Sequence, residues 1–387
     1  MIQDLVVYLV YIAYAIGLML GMATLFTWVE RKQSAVMADR IGANRAYIRI
    51  PFTDVKLVAW GLFHGIADGS KMLLKEDFTP TTYDRFCYNL GPWLATVPVL
   101  LLFAVIPFGG TVYPGRLFDP SFPVVGPWLS EFFGERSYAM QVANLDAGIL
   151  IILAISGIGI LGTMLAGWAS NNKFSLLGAA RASSQMISYE VTMGLALLSL
   201  VVSYGTLDLG GMVNEQSKLF FGFLPSWGIC FQPLAFILFL TAAIAENKRA
   251  PFDLPECESE LVAGYFTEYG AMKMGLFMLS EFIEIVIAAA LLVTLFLGGY
   301  SLPFLEPGGF VFPFGISIAL PHLAVVVLHV VTFLAKVFLA GCFMIQIRWS
   351  LPRFRYDQLM DFGWKFLMPL AAINLVATVC VRWFVGG

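Results

Sequence analysis

Long apolar runs separated by short charged segments dominate the pattern of this chain. The hydrocarbon core of a bilayer, about 30 Å thick, is crossed by roughly 20 apolar residues in a helix. Eight such stretches recur, at 5–29, 86–108, 147–170, 187–205, 230–246, 275–298, 322–346 and 362–384. The first carries no charge between Leu5 and Val29; it is too long for a signal-peptide core and lacks a basic leader, so it is read as a span. No repeat with a period of 20–50 residues is visible, which argues against a transporter built from repeated halves. The pattern predicts an all-α polytopic membrane protein, a single integral membrane domain over 1–387 with about eight transmembrane helices.

Two connections break the pattern. In the first, 30–84, the segment GLFHGIADGSKMLLKED places Leu62, Phe63, Ile66, Leu73 and Leu74 at helical spacing. His64, Asp68, Lys71 and Lys75 form one polar stripe on the other face, as expected of an amphipathic helix lying at the membrane surface. In the second, 247–274, the run AENKRAPFDLPECESELVAGYFTEY, which begins at Ala245, gathers Glu246, Asp253, Glu256, Glu258, Glu260 and Glu268. Pro251 and Pro255 forbid one continuous helix there. Acidic runs are usually solvated, but Phe252, Leu254, Leu261, Val262, Tyr265 and Phe266 are interleaved with these acids. That much apolar surface predicts a partly buried loop, with Arg249 as the local counter-charge of Asp253. Interfacial helices are expected in both connections.

Composition agrees with a membrane protein: 59% of residues are hydrophobic and 13% charged, against roughly 25% charged in soluble domains. A net charge of −3 offers no basic field for nucleic acid. The five cysteines are scattered without a C-x-x-C pair, so no cluster or zinc site is expected in this chain. Lys and Arg in the connections are distributed sixteen to three between the two sides. By the positive-inside rule the 30–84 and 247–274 connections face the cytoplasm and both termini lie on the outer, periplasmic side.

Ionisable residues inside the hydrocarbon cost on the order of 2.5–3.5 kcal/mol each and mark function by default. Here they are Asp146, Glu190, Glu246, Glu281, Glu284 and Lys336. Asp146, at a span edge, is read as a snorkelling or capping group. Glu281 and Glu284 stand at i, i+3 on one helix face, with Cβ atoms about 5–6 Å apart. Two bare carboxylates there repel by roughly 3 kcal/mol at an effective dielectric near 20, so the pair is expected to hold a shared proton.

Four blocks of the sequence carry a family likeness. They are Glu30-Arg31-Lys32 with Arg40-Ile41-Gly42-x-Asn44-Arg45, IADGSKMLLKEDF at 66–78, the 245–269 run quoted above, and PRFRYDQLM at 352–360. With these blocks the chain resembles the H subunit of proton-pumping NADH:quinone oxidoreductase (respiratory complex I), counterpart of mitochondrial subunit 1. The resemblance implies a subunit that helps form the quinone-binding chamber and couples quinone reduction to proton translocation. It implies Arg31, Asp68, Arg249, Asp253 and Glu256 along the chamber and its funnel. Glu258, Glu260 and Glu268 match loop carboxylates implicated in coupling, and Glu190, Glu246 and Glu281 match buried acids that begin a proton path. Glu284 and Lys336 join that path on the residue reading above. Quinone, such as ubiquinone, would be the substrate; no cofactor is implied in this chain, with FMN and iron–sulfur clusters in partner subunits. The implied partners are the peripheral-arm subunits of the quinone module and the antiporter-like membrane subunits, in the inner (plasma) membrane of a bacterium. The link at 46–60 is longer than is usual in the family. The alternative reading is the homologous ion-translocating subunit of a ferredoxin-linked or hydrogenase-type complex, which need not bind quinone.

Overall fold

The computed structural model describes residues 2–49, 56–117, 131–220, 224–255, 258–312 and 317–386. Its helices are α1 (Ile2–Met37), α2 (Phe63–Leu74), α3 (Arg85–Leu102), α4 (Gly148–Ala169), α5 (Lys173–Tyr204), α6 (Leu209–Ser217), α7 (Gly228–Phe231), α8 (Pro233–Glu246), α9 (Glu258–Leu261), α10 (Ala271–Phe296), α11 (His322–Ser350), α12 (Tyr356–Asp361) and α13 (Met368–Gly386). A π-helical stretch over Phe362–Leu367 joins the last two. Among the described residues, seven helical segments are long and apolar enough to cross a membrane, and Pro233–Glu246 is a shorter apolar one. The chain is an all-α polytopic membrane protein. Small antiparallel hairpins, such as Ile48–Arg49 with Lys56–Leu57, sit in the connections.

Several helices outrun their apolar stretches. α1 has 36 residues, about 54 Å of helix, and carries Glu30, Arg31 and Lys32 within its last turns because no breaker follows until Gly42. α5 begins fourteen residues before the predicted 187, at an Asn172 cap whose side chain accepts from Phe174 N–H, and ends on Gly205 at φ 73°. Its first half, KFSLLGAARASSQM, is small and polar but favourable to helix. Those small residues admit a neighbour: a Cβ on Gly178 would come within 2.8 Å of Gly264 Cα, so glycine there lets the 247–274 backbone lie on α5.

α10 is the central helix, with every residue from Ile285 to Phe296 buried. α2 packs against its first turns, Met72 facing Gly275, while Ile66, Leu73 and Leu74 stay exposed. Lys75 falls beyond the helix in extended conformation, so the predicted polar stripe ends at Lys71. The second connection holds no amphipathic helix among its described residues: the prolines leave one turn at α9 and a 3-10 turn at Gly264–Phe266. Its apolar side chains do bury, Phe252, Leu254, Leu261, Tyr265 and Phe266 among them, whereas Val262 is exposed.

Candidate functional site: a buried ion-pair network

The last turns of α1 start the network. Glu30 accepts hydrogen bonds from Arg249, in the second connection, and from Arg348, near the end of α11, at 2.5 Å. The next residue, Arg31, donates to Asp68 on α2, and Lys71 stands 3.9 Å from the same carboxylate. One helix end thus ties the surface helix to the bundle.

From Glu30 the charges continue inward. Arg249 lies 3.8 Å from Glu281, which also accepts from Tyr265 Oη at 3.3 Å. Lys248 lies 3.6 Å from Glu284 and 5.7 Å from the centre of the Tyr265 ring. Arg249 sits 4.3 Å from the ring centre of Phe282, a cation–π contact between the two carboxylates of α10. Lys248, Arg249 and Glu281 are all buried, where an unpaired charge costs several kcal/mol. Each carboxylate of the i, i+3 pair therefore has its own cation, and the bare-pair repulsion expected from spacing alone is offset. Spacing along one helix leaves these cations out, because Lys248 and Arg249 come from the second connection.

Beyond Glu284 the network reaches a cavity of about 50 Å³, lined by Glu284, Glu246, Asn247 and Ser156 among apolar side chains. A water needs roughly 10–15 Å³ and two or more polar partners, so this space accommodates a few. Among the described residues, Glu284 Oε2 has no hydrogen-bond partner. Ser156 Oγ, on the same cavity wall, donates to Glu190 Oε1 at 3.0 Å. Glu246 and Glu284 thus line one small, mostly apolar space between α3, α4, α5, α8 and α10, and Glu190 is tied to its wall through Ser156.

Asp253 departs from its predicted partner. Its carboxylate is held by Arg353 at 2.7 Å, not by Arg249. The i, i+4 reading presumed local geometry, but the chain turns at Pro251, with Phe252 N–H donating to the Arg249 carbonyl, and the two side chains diverge. Phe354 N–H donates to the Pro251 carbonyl at 3.1 Å and its ring stacks on Phe252, so the 352–360 block is pinned beneath the loop. Burial pushes the Asp253 carboxyl above the usual carboxylate range, against the pull of Arg353. Gln185 closes the arrangement, donating to the Ala245 and Phe252 carbonyls.

Other predicted residues lie apart. Glu260 pairs with Arg181 at 2.5 Å on the surface, and Glu268 accepts from Asn172 at 2.6 Å; both fasten the second connection to α5. Glu258 begins α9, and Glu256 lies outside the described residues. Lys336 is not brought to the acids at all. Its ammonium donates to the carbonyls of Leu297, Gly299 and Ser301, about 20 Å further along α10 than Glu284.

The comparisons with known proteins bear on this arrangement. A family profile described as NADH dehydrogenase matches residues 9–379. The chain is 40% identical to an H subunit (numbered 1) of the NADH-quinone oxidoreductase of Cytophaga hutchinsonii, over 96% of this chain and 95% of the relative. It is 39% identical to the H subunit of Flavobacterium psychrophilum, over 97% of each, and 40% identical to an H subunit of Geobacter metallireducens, over 97% and 96%. The chain belongs to the family of NADH-quinone oxidoreductase H subunits. The matched region includes every member of the network.

For a chain of this H-subunit family, the sequence reading missed four participants: Glu30, Lys248, Arg348 and Arg353. All four stood in quoted motifs or in the count of basic residues. The available signal was a carboxylate closing a span amid like-sided cations, and an acidic loop whose own sequence holds too few cations to balance it.

Proposed function

We propose that this chain helps form the quinone-binding chamber of an NADH:quinone oxidoreductase and couples quinone reduction to proton translocation. The observation that carries the reading is the run of ion pairs from Asp68–Arg31, through the neighbouring Glu30, to Arg249, Glu281, Lys248 and Glu284, ending at the cavity shared with Glu246. Quinone is the substrate, electrons come from clusters in peripheral-arm partners with FMN upstream, and antiporter-like membrane subunits receive the coupling. The protein resides in a bacterial inner membrane, with the network on the cytoplasmic side and both termini periplasmic.

The physics of the coupling is electrostatic. A unit charge 4 Å from another, at an effective dielectric near 20, contributes about 4 kcal/mol, equal to about three pKa units. A negative charge that develops on a quinone near Arg249 or Arg348 competes with Glu30 and Glu281 for those guanidiniums. The freed carboxylates then bind protons more readily, and the cavity beside Glu284 and Glu246 is the place where water could relay them. No covalent step falls to this chain; its side chains position the headgroup and shift protons.

The test is Arg249→Ala against Arg116→Ala. Arg116 pairs with Glu135 on the exposed opposite face, where such a pair is worth at most about 1 kcal/mol. NADH:quinone reductase activity should fall at least about tenfold in Arg249→Ala, as expected for a loss of 1.4 kcal/mol or more, and stay near wild type in Arg116→Ala. NADH:ferricyanide activity, which bypasses quinone, should survive in both. Equal effects of the two variants on quinone reduction would remove this reading.

A further inference from the structure

On the membrane side opposite the network, the bundle has a notch. α8 has 14 residues, about 21 Å of helix, well short of a 30 Å hydrocarbon core. The chain reaches it through a turn at Gln232, so the outer part of the bundle between the ends of α5 and α13 is open. A groove of about 710 Å³ occupies that place.

The groove has a polar floor within apolar walls. Gln232 donates to Ser203 Oγ at 3.1 Å and Thr378 Oγ1 at 3.0 Å, and accepts from Asn374 at 3.3 Å. Phe231 and Val381, on its walls, are exposed. At the rim, Lys218 is matched to Glu215 at 2.7 Å. Arg382 also lines the groove, and among the described residues no carboxylate pairs with it. The positive end of α8, which has no side-chain cap, points the same way.

The geometry points to an outer-leaflet binding site for an anionic phospholipid, with the phosphodiester on Arg382 and the acyl chains along Phe231 and Val381. Three requirements meet here. A cation at the bilayer edge attracts an anionic headgroup. A notch left by a short helix offers room for hydrocarbon chains where the bilayer meets it. A polar floor beneath apolar walls suits a headgroup and glycerol region above acyl chains. A free phosphate would satisfy only the first. An anionic lipid is favoured over a zwitterionic one because Glu215 is already matched by Lys218, which leaves no carboxylate here for a choline or ethanolamine cation.

The experiment uses the purified membrane complex that contains this chain, reconstituted in nanodiscs with a photoactivatable phosphatidylglycerol or, separately, a photoactivatable phosphatidylcholine. Cross-linked peptides covering 226–234 and 374–382 are quantified by mass spectrometry for wild type, Arg382→Ala and Arg382→Lys. Wild type should take up about fivefold more of the phosphatidylglycerol probe than of the phosphatidylcholine probe, as one interfacial cation provides. Arg382→Ala should lose that preference and Arg382→Lys should retain it. Equal labelling by both probes in wild type, or a preference unchanged in Arg382→Ala, would overturn the assignment. So would exclusion of both probes by a cross-link from these peptides to another subunit.

Discussion

The middle of α10 and its last end both hold buried or half-buried cations, and they hold them differently. At the middle, Lys248 and Arg249 face Glu284 and Glu281, with Glu30 of α1 on Arg249. At the last end, Lys336 faces three backbone carbonyls and the Trp227 ring, 4.8 Å away. Carboxylates can take up a proton and release their cation; carbonyls cannot. The first arrangement can therefore respond to a charge arriving nearby, whereas the second only satisfies the carbonyls at the end of a helix and fastens α10 to α11. A buried charge marks function only together with the chemistry of its partner.

The largest expected effect is at the node of the responsive arrangement. Glu30→Gln leaves Arg249 and Arg348 without the carboxylate they share, and breaking a buried pair costs about 3–5 kcal/mol. Quinone reductase activity in isolated membranes should fall more than tenfold, and the amount of assembled complex on native gels should decline. A Glu30→Gln complex with normal abundance and activity would show that the two arginines do not depend on it.

Next comes Lys336→Met, which exposes three carbonyls to an apolar neighbour, each costing about 1–3 kcal/mol when unsatisfied. The complex should melt at lower temperature, yet what remains should turn over at the wild-type rate per FMN. A complex of normal stability but slow turnover would move Lys336 into the responsive class. Smaller still is Asp68→Asn. The Asp68–Arg31 pair is about one-third exposed, so a several-fold fall in quinone reduction is expected with assembly intact, and ferricyanide reduction should be unchanged.

Much of this contrast was visible in the sequence, and part of it was not. Apolar runs located α1, α3, α4, α10 and α11 because hydropathy over 20 residues is a local property. The first half of α5 escaped because small polar residues pack as closely as apolar ones without raising hydropathy. The acids were found one by one, since a carboxylate in an apolar run stands out wherever it lies. Their partners were not, because Arg249 and Glu30 are 219 positions apart, Arg348 and Glu30 318, and Arg353 and Asp253 100. Local spacing supplied wrong substitutes: Arg249 for Asp253, and Glu284 as a bare neighbour of Glu281. Lys336 was grouped with the acids because composition cannot tell a carboxylate partner from a carbonyl.

The smallest predicted effect concerns pH at Asp253. Burial raises its native pKa, so the native state binds this proton more tightly than the unfolded chain, and stability rises as pH falls through the raised value towards about 4, where an unfolded aspartate protonates. Asp253→Asn carries no such proton. The melting temperature of wild type should therefore gain on that of Asp253→Asn as pH falls from neutrality towards about 4, by a degree or two at most for a fraction of a kcal/mol. A gap that moves the other way would mean that the pull of Arg353 outweighs burial.

The contrast between the middle and the last end of α10 is tested most directly by counting protons pumped per NADH oxidised in proteoliposomes for Glu281→Gln and Lys336→Met. If the carboxylate region couples and the carbonyl end only holds, Glu281→Gln lowers the ratio even where quinone reduction continues. Lys336→Met, under the same conditions, leaves the ratio at the wild-type value whatever its yield. A normal ratio in Glu281→Gln, or a lowered one in Lys336→Met, would contradict the account.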